Sequence, residues 1–266
     1  MKTTNKQPKR KSKNLLDYHN RIDAKSLNYD FLDRIRRQGR SIIKILEEEN
    51  NVILKLYTKS LDMEENYPGN LDLCVTFKIY EDYKIEQTYE AISDKTTLVN
   101  MTNHSYFNLS GNIKRPITDE YLKVDCDYIL ELDETCVPTG KKISVENTPF
   151  DFTKEMLIGE RIDDNNKQIQ IGCGYDHAFI LNDTKNQIKL NDIISGRNMI
   201  IDTDQDCVVI YSMNFPDDVE LYNGNKTQRR YGICFETQAA PIGRNMCFIE
   251  ASLLDKGEKY IQKTIY

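Results

Sequence analysis

Leu71–Tyr80 reads LDLCVTFKIY, and its side chains alternate: Leu71, Leu73, Val75, Phe77 and Ile79 share one face, Asp72, Thr76 and Lys78 the other. A period of two marks a half-buried strand, because successive Cβ atoms point to opposite sides of the pleat. Residues 83–91 repeat the pattern, with Tyr83, Ile85, Tyr89 and Ala91 opposite Lys84, Glu86 and Glu90, and the short Glu81-Asp82 link makes the pair a hairpin. Similar runs recur at 52–57, 121–124, 177–181, 198–201, 207–213, 232–235, 247–252 and 260–265. Pro68-Gly69, Pro138-Thr139-Gly140 and Asn223-Gly224 punctuate them as turn signals, and no long helical period intervenes. The class is therefore all-β. Alternating strands keep one face solvated, so the expectation is a large antiparallel β-sandwich of two twisted sheets.

Working outward, the 266 residues are 39% hydrophobic, 9% aromatic and 29% charged, enough apolar side chain for a core. β-Sandwiches of this size often form one unit, so residues 14–266 are expected to make a single domain. Residues 1–13 carry Lys2, Lys6, Lys9, Arg10, Lys11 and Lys13 with almost nothing apolar, and are expected to be a disordered basic tail; the alternative for 8–13 is a nuclear import signal. The spacing of Leu27, Phe31, Leu32 and Ile35 predicts a short amphipathic helix over 27–38, or an irregular arm.

The net charge of -6, from 36 basic and 42 acidic residues, argues against a general polyanion binder, so no nucleic-acid partner is expected. No run approaches the ~20 apolar residues of a membrane helix, and no apolar signal-peptide core follows the basic N-terminus, which predicts a soluble, cytoplasmic chain without a membrane partner. The seven cysteines are odd in number, scattered and without paired C-x-x-C spacing. They read as buried thiols of a reducing compartment, with no metal. Four Asn-x-Ser/Thr sequons, at Asn103, Asn108, Asn182 and Asn225, read as ordinary loop chemistry.

Three histidines, His19, His104 and His177, narrow the search for a group that titrates near neutral pH. His104 lies in Thr102-Asn103-His104-Ser105-Tyr106-Phe107-Asn108-Leu109-Ser110-Gly111, a run of hydrogen-bonding groups after the apolar Leu98, Val99 and Met101, and is either a site or a well-satisfied turn. Asp176 and His177 follow Gly172-Cys173-Gly174-Tyr175 at the start of a strand; as neighbours they point to opposite faces, so one of them is structural. Glu236 ends an apolar strand, 231–235, before Thr237, Gln238 and Pro241. A buried acid there needs a partner or a raised pKa; the alternative is an exposed strand-end glutamate.

Taken together, Thr102 to Gly111, Gly174-Tyr175-Asp176-His177 and Glu236-Thr237-Gln238 resemble the aldose 1-epimerase (galactose mutarotase) family. Tyr67-Pro68-Gly69-Asn70, Leu132-Asp133-Glu134 with Pro138-Thr139-Gly140, and Thr148-Pro149-Phe150-Asp151-Phe152 extend the likeness, in order, from about Ile42 to the C-terminus. The resemblance implies a β-sandwich that binds a monosaccharide and interconverts the α and β anomers of a hexose such as galactose or glucose, without a cofactor. It implies Glu236 as the general base on the anomeric hydroxyl, His104 as the general acid on the ring oxygen, Asp176 as a ligand of sugar hydroxyls and Tyr106 as a further wall. A monomer or weak dimer is expected.

The chain also departs from the family pattern. Asn20-Arg21-Ile22 is present, but no His-Gly-Gly segment is, and its histidine helps hold substrate in the family. Glu220 stands where glutamine is more usual, and Ala239 and Ala240 are atypical. These departures leave three readings: an epimerase, slow or altered in substrate; a catalytically weak sugar-binding or regulatory homologue; and a glycoside hydrolase pairing Asp176 with Glu236, which gives His104 no role.

Overall fold

The computed structural model describes residues 42–182, 185–217, 219–221 and 224–266. The basic tail, the 27–38 segment, His19 and Asn20-Arg21-Ile22 lie outside the described residues.

Strands are numbered along the chain. The larger sheet has nine, in the spatial order β1 (Ile42–Glu47), β2 (Asn51–Ser60), β3 (Leu71–Tyr80), β4 (Ile85–Ser93), β17 (Lys259–Ile265), β13 (Arg197–Thr203), β12 (Ile188–Asp192), β7 (Tyr121–Val124) and β10 (Met156–Leu157). The smaller has six, in the order β6 (Tyr106–Phe107), β15 (Ile233–Gln238), β14 (Cys207–Tyr211), β11 (Asp176–Leu181), β8 (Cys126–Leu132) and β9 (Pro138–Ser144). β5 (Thr97–Leu98) and β16 (Leu253–Leu254) form a separate pair. Every ladder is antiparallel, as the alternating pattern requires.

The main core lies between the two sheets. Leu122, Val124, Ile188, Leu190 and Ile201 from the larger meet Phe179, Val208, Ile210, Ile233 and Phe235 from the smaller, all fully buried. Each such side chain contributes about 1.5–3 kcal/mol on leaving water. A second, smaller cluster, Leu130, Ala178 and Cys207 with Val209, Ala240 and Phe248, covers part of the smaller sheet's opposite face. One short α-helix, α1 (Lys167–Gly172), is found among the described residues, and no helix there is long and apolar enough to cross a membrane.

Several expectations are corrected. Tyr83 takes φ 68° in the hairpin turn and is 93% exposed, so β4 starts at Ile85. Residues 247–252 are not a strand: Phe248 takes φ 67° and a tight 3-10 turn, Ile249–Ser252, follows. Pro138-Thr139-Gly140 is not a loop but the start of β9, an edge strand, where a proline at the first position removes no needed ladder bond. All seven thiols are free, but Cys136 and Cys173 are exposed and only Cys126, Cys207 and Cys234 are buried.

Candidate active site

The smaller sheet aligns one row of side chains across four strands. Asp176 pairs with Tyr211, Tyr211 with Cys234, and Cys234 with Tyr106. Cross-strand partners share a face, and so does Glu236, two residues beyond Cys234 on β15. The intervening residues His177, Ile210 and Phe235 point the other way, into the core between the sheets. The row therefore looks outward, away from the main core.

His104 arrives from the loop before β6, whose polar neighbours fasten it. Thr102 Oγ1 donates to the Thr237 carbonyl at 3.1 Å, Asn103 Nδ2 to the Tyr266 hydroxyl at 2.9 Å, and Ser105 Oγ to Asn103 Oδ1 at 2.8 Å. Asn108 Nδ2 reaches the Arg115 and Tyr231 carbonyls at 2.8 and 3.1 Å. The run is thus a satisfied turn whose small polar side chains hold the backbone while the imidazole is left to face the row. Its ring stacks obliquely on Tyr106, centroids 5.2 Å apart, and meets Tyr211 edge-on at 5.9 Å.

His104 Nε2 lies 3.1 Å from Glu236 Oε1 and Nδ1 lies 3.3 Å from Cys234 Sγ. With Glu236 ionised, Nε2 carries the proton and donates it, and Nδ1 accepts from the Cys234 S–H; the hydrogen-bond pattern fixes the tautomer. Glu236 is only 12% exposed on its side chain and sits in mid-strand, neither at a strand end nor exposed. Burial, and next the nearby Asp176 charge, push its pKa up to about 7. The His104 N–H works against both by favouring the carboxylate. Asp176, half-buried at the start of β11, is raised by burial to about 6. Burial likewise holds the Tyr106 phenol well above its ordinary range, so it stays neutral.

Asp176 is placed by the turn before it. Cys173 caps α1 with φ 54° and Gly174 follows at φ 131°, turning the chain into β11. Arg230, 6% exposed, braces this turn: its guanidinium donates to the Cys173 carbonyl at 2.7 Å and Ser212 Oγ at 2.8 Å, and also to Asn214 Oδ1. Asn214 in turn donates to the Gly172 and Tyr175 carbonyls at 2.6 and 3.0 Å. His177 is the structural member of its pair. It is fully buried, its ring 4.6 Å from Phe150, and burial drops its pKa to about 3.

The geometry thus gathers His104, Glu236, Asp176 and Tyr106 on one face, with Tyr211 and Cys234, which sequence reasoning missed. Period-two alternation put Cys234 beside Glu236 and could have flagged it; Tyr211 had no local signal. Glu220 stands outside the group, in an isolated bridge to Lys226.

Comparison with known proteins gives this arrangement a setting. A family model described as aldose 1-epimerase matches residues 41–266. The chain belongs to the aldose 1-epimerase family. Galactose mutarotase of Mus musculus is 34% identical over 215 residues, 79% of this chain and 61% of that protein. Aldose 1-epimerase of Streptococcus thermophilus is 33% identical over 221 residues, 79% of this chain and 59% of its own length. Among solved structures, galactose 1-epimerase from Lactobacillus acidophilus superposes with a TM-score of 0.75 at 28% identity, covering 85% of this chain and 65% of that one. This family member thus spans about three fifths of the length of the curated relatives it matches. The matched residues start where the family likeness read from the sequence starts, near Ile42.

Proposed function

We propose that the chain interconverts the α and β anomers of a hexose such as galactose or glucose. The observation that carries this reading is the contact of His104 Nε2 with Glu236 Oε1 at 3.1 Å, on the face that also presents Asp176 and Tyr106. Opening a hemiacetal ring removes a proton from one oxygen and delivers one to another, both bonded to the same carbon. An acid and a base in mutual hydrogen-bond contact are spaced to serve two such neighbouring atoms.

In this reading Glu236 takes the proton of the anomeric hydroxyl, and His104, entering the step as the imidazolium and leaving it as the neutral ring, protonates the ring oxygen as the carbon–oxygen bond breaks. Rotation about the bond between the first two carbons presents the other carbonyl face, and the two groups reverse roles on closure. A base near neutrality suits both directions, since it must give the proton back as readily as it takes it. Asp176 accepts hydrogen bonds from ring hydroxyls, and Tyr106, 50% exposed, forms a wall of the sugar site. Names of the relatives, galactose mutarotase and aldose 1-epimerase, support the same reaction class.

A second reading is a weak sugar-binding homologue, which holds galactose without exchanging its anomers. Polarimetry of freshly dissolved α-galactose and α-glucose separates the two. Catalysed decay of rotation is expected; galactose binding without any acceleration over buffer would overturn the epimerase reading and leave the binding one.

A further inference from the structure

Cys234 and Glu236 are two residues apart on β15 and project to the same side, and His104 descends on them from another segment. One nitrogen of His104, the Cys234 sulfur and a Glu236 oxygen all lie within 4.8 Å of one another. We propose that this cluster is a binding site for a thiophilic divalent cation, with Zn²⁺ as the type case, and that the bound ion holds the protein inactive.

The donor geometry is close to what such an ion needs. A tetrahedral zinc bonded to sulfur at ~2.3 Å and imidazole nitrogen at ~2.0 Å holds the two donors ~3.5 Å apart. Cys234 Sγ and His104 Nδ1 already stand at 3.3 Å. The third gap closes by rotating the Glu236 carboxyl and the His104 ring, whose side chain is 39% exposed. Three protein ligands leave a fourth position on that exposed side for water or a sugar hydroxyl. A thiolate, an imidazole and a carboxylate select zinc and its soft neighbours over Mg²⁺ or Ca²⁺, which take oxygen donors. On binding, the Cys234 thiol loses its proton to the buffer as the sulfur–metal bond forms. The ligand set comes from segments 130 residues apart, which is why cysteine spacing gives no sign of it.

Binding itself does not depend on the epimerase reading. The inhibition does, because the ion occupies the two groups assigned to proton transfer. The test uses the full chain carrying Cys136→Ser and Cys173→Ser, which removes the exposed thiols. Zinc chloride is titrated calorimetrically, Co²⁺ is added as a spectroscopic probe, and anomer exchange is followed by polarimetry with and without EDTA. Expected are one zinc per chain, a thiolate-to-cobalt charge-transfer band, and turnover that falls with occupancy and returns with chelator. Cys234→Ala and, independently of any folding defect in the buried site, His104→Gln should each weaken binding by about 100-fold or more. No saturable binding, or binding unchanged in both variants, would overturn the site. Binding with the band but no turnover in the metal-free protein would overturn the inhibition, and the epimerase reading with it, while the metal site stands.

Discussion

Glu236 illustrates how one residue acquires a role from its surroundings. On the surface it would be an ordinary carboxylate; in mid-strand, beside Asp176 and under His104, it is raised to about 7 by burial first and its neighbour second. If it is the base, Glu236→Gln removes proton transfer while preserving shape, and kcat for anomer exchange falls by about 10²–10⁴-fold. His104→Ala should cost a similar factor. Polarimetry reads both, and wild-type turnover in either contradicts the assignment. In the parent protein kcat/KM should rise with pH through about 7, as the carboxyl ionises. Asp176→Asn should act mainly on KM. The residue types were legible in the sequence, as was the opposition of Asp176 and His177, because strand neighbours must face opposite ways. The contact of His104 with Glu236 was not, since no local period links segments so far apart; it was suggested only by family likeness.

At the scale of elements, the turn into β11 is the most exacting piece. Gly174 combines φ 131° with a position where any Cβ would meet the Arg230 guanidinium. That guanidinium is buried and fixed by several hydrogen bonds, so it cannot swing aside cheaply. Gly174→Ala should therefore lower stability by about 2–3 kcal/mol, measured by chemical denaturation, and raise KM because Asp176 lies two residues on. Gly172, by contrast, ends α1 without a positive φ, so only one of the two glycines supplies the bend. Strand legibility followed burial. β3 and β7 were read to the residue because each alternates cleanly. β8 was missed because a register shift between Leu130 and Leu132 breaks its alternation, and β9 because an exposed edge strand of sequence PTGKKIS carries almost no apolar signal.

For the molecule as a whole, buried ionisable groups set the pH response. Glu120 is fully buried, accepts the Leu109 N–H at 2.7 Å, and is raised by burial to about 7. With Glu236 and Asp176 it makes three carboxyls whose folded-state values exceed the unfolded ones. Each contributes stability that is present below about pH 4.5 and is lost as pH rises through 6 to 7. His177 runs the other way: kept neutral, it costs stability as pH falls from about 6.5 toward 3. Three groups outweigh one, so thermal stability should fall as pH rises from about 5 to about 7. Glu120→Gln should flatten that decline by an amount on the order of 2–3 kcal/mol, and an unchanged slope would show that its carboxyl is not the source. The two-sheet architecture was legible from alternation alone; the strand order that builds the site was not, because register follows from long-range packing.

The central claim is that one sugar ring is held between His104 and Glu236. A crystal structure with galactose or glucose bound tests it most directly. Expected are Glu236 within hydrogen-bond reach of the anomeric hydroxyl, His104 Nε2 on the ring oxygen, and Asp176 on ring hydroxyls. A sugar bound elsewhere on the sheet, or one whose anomeric carbon is out of reach of both groups, would contradict it.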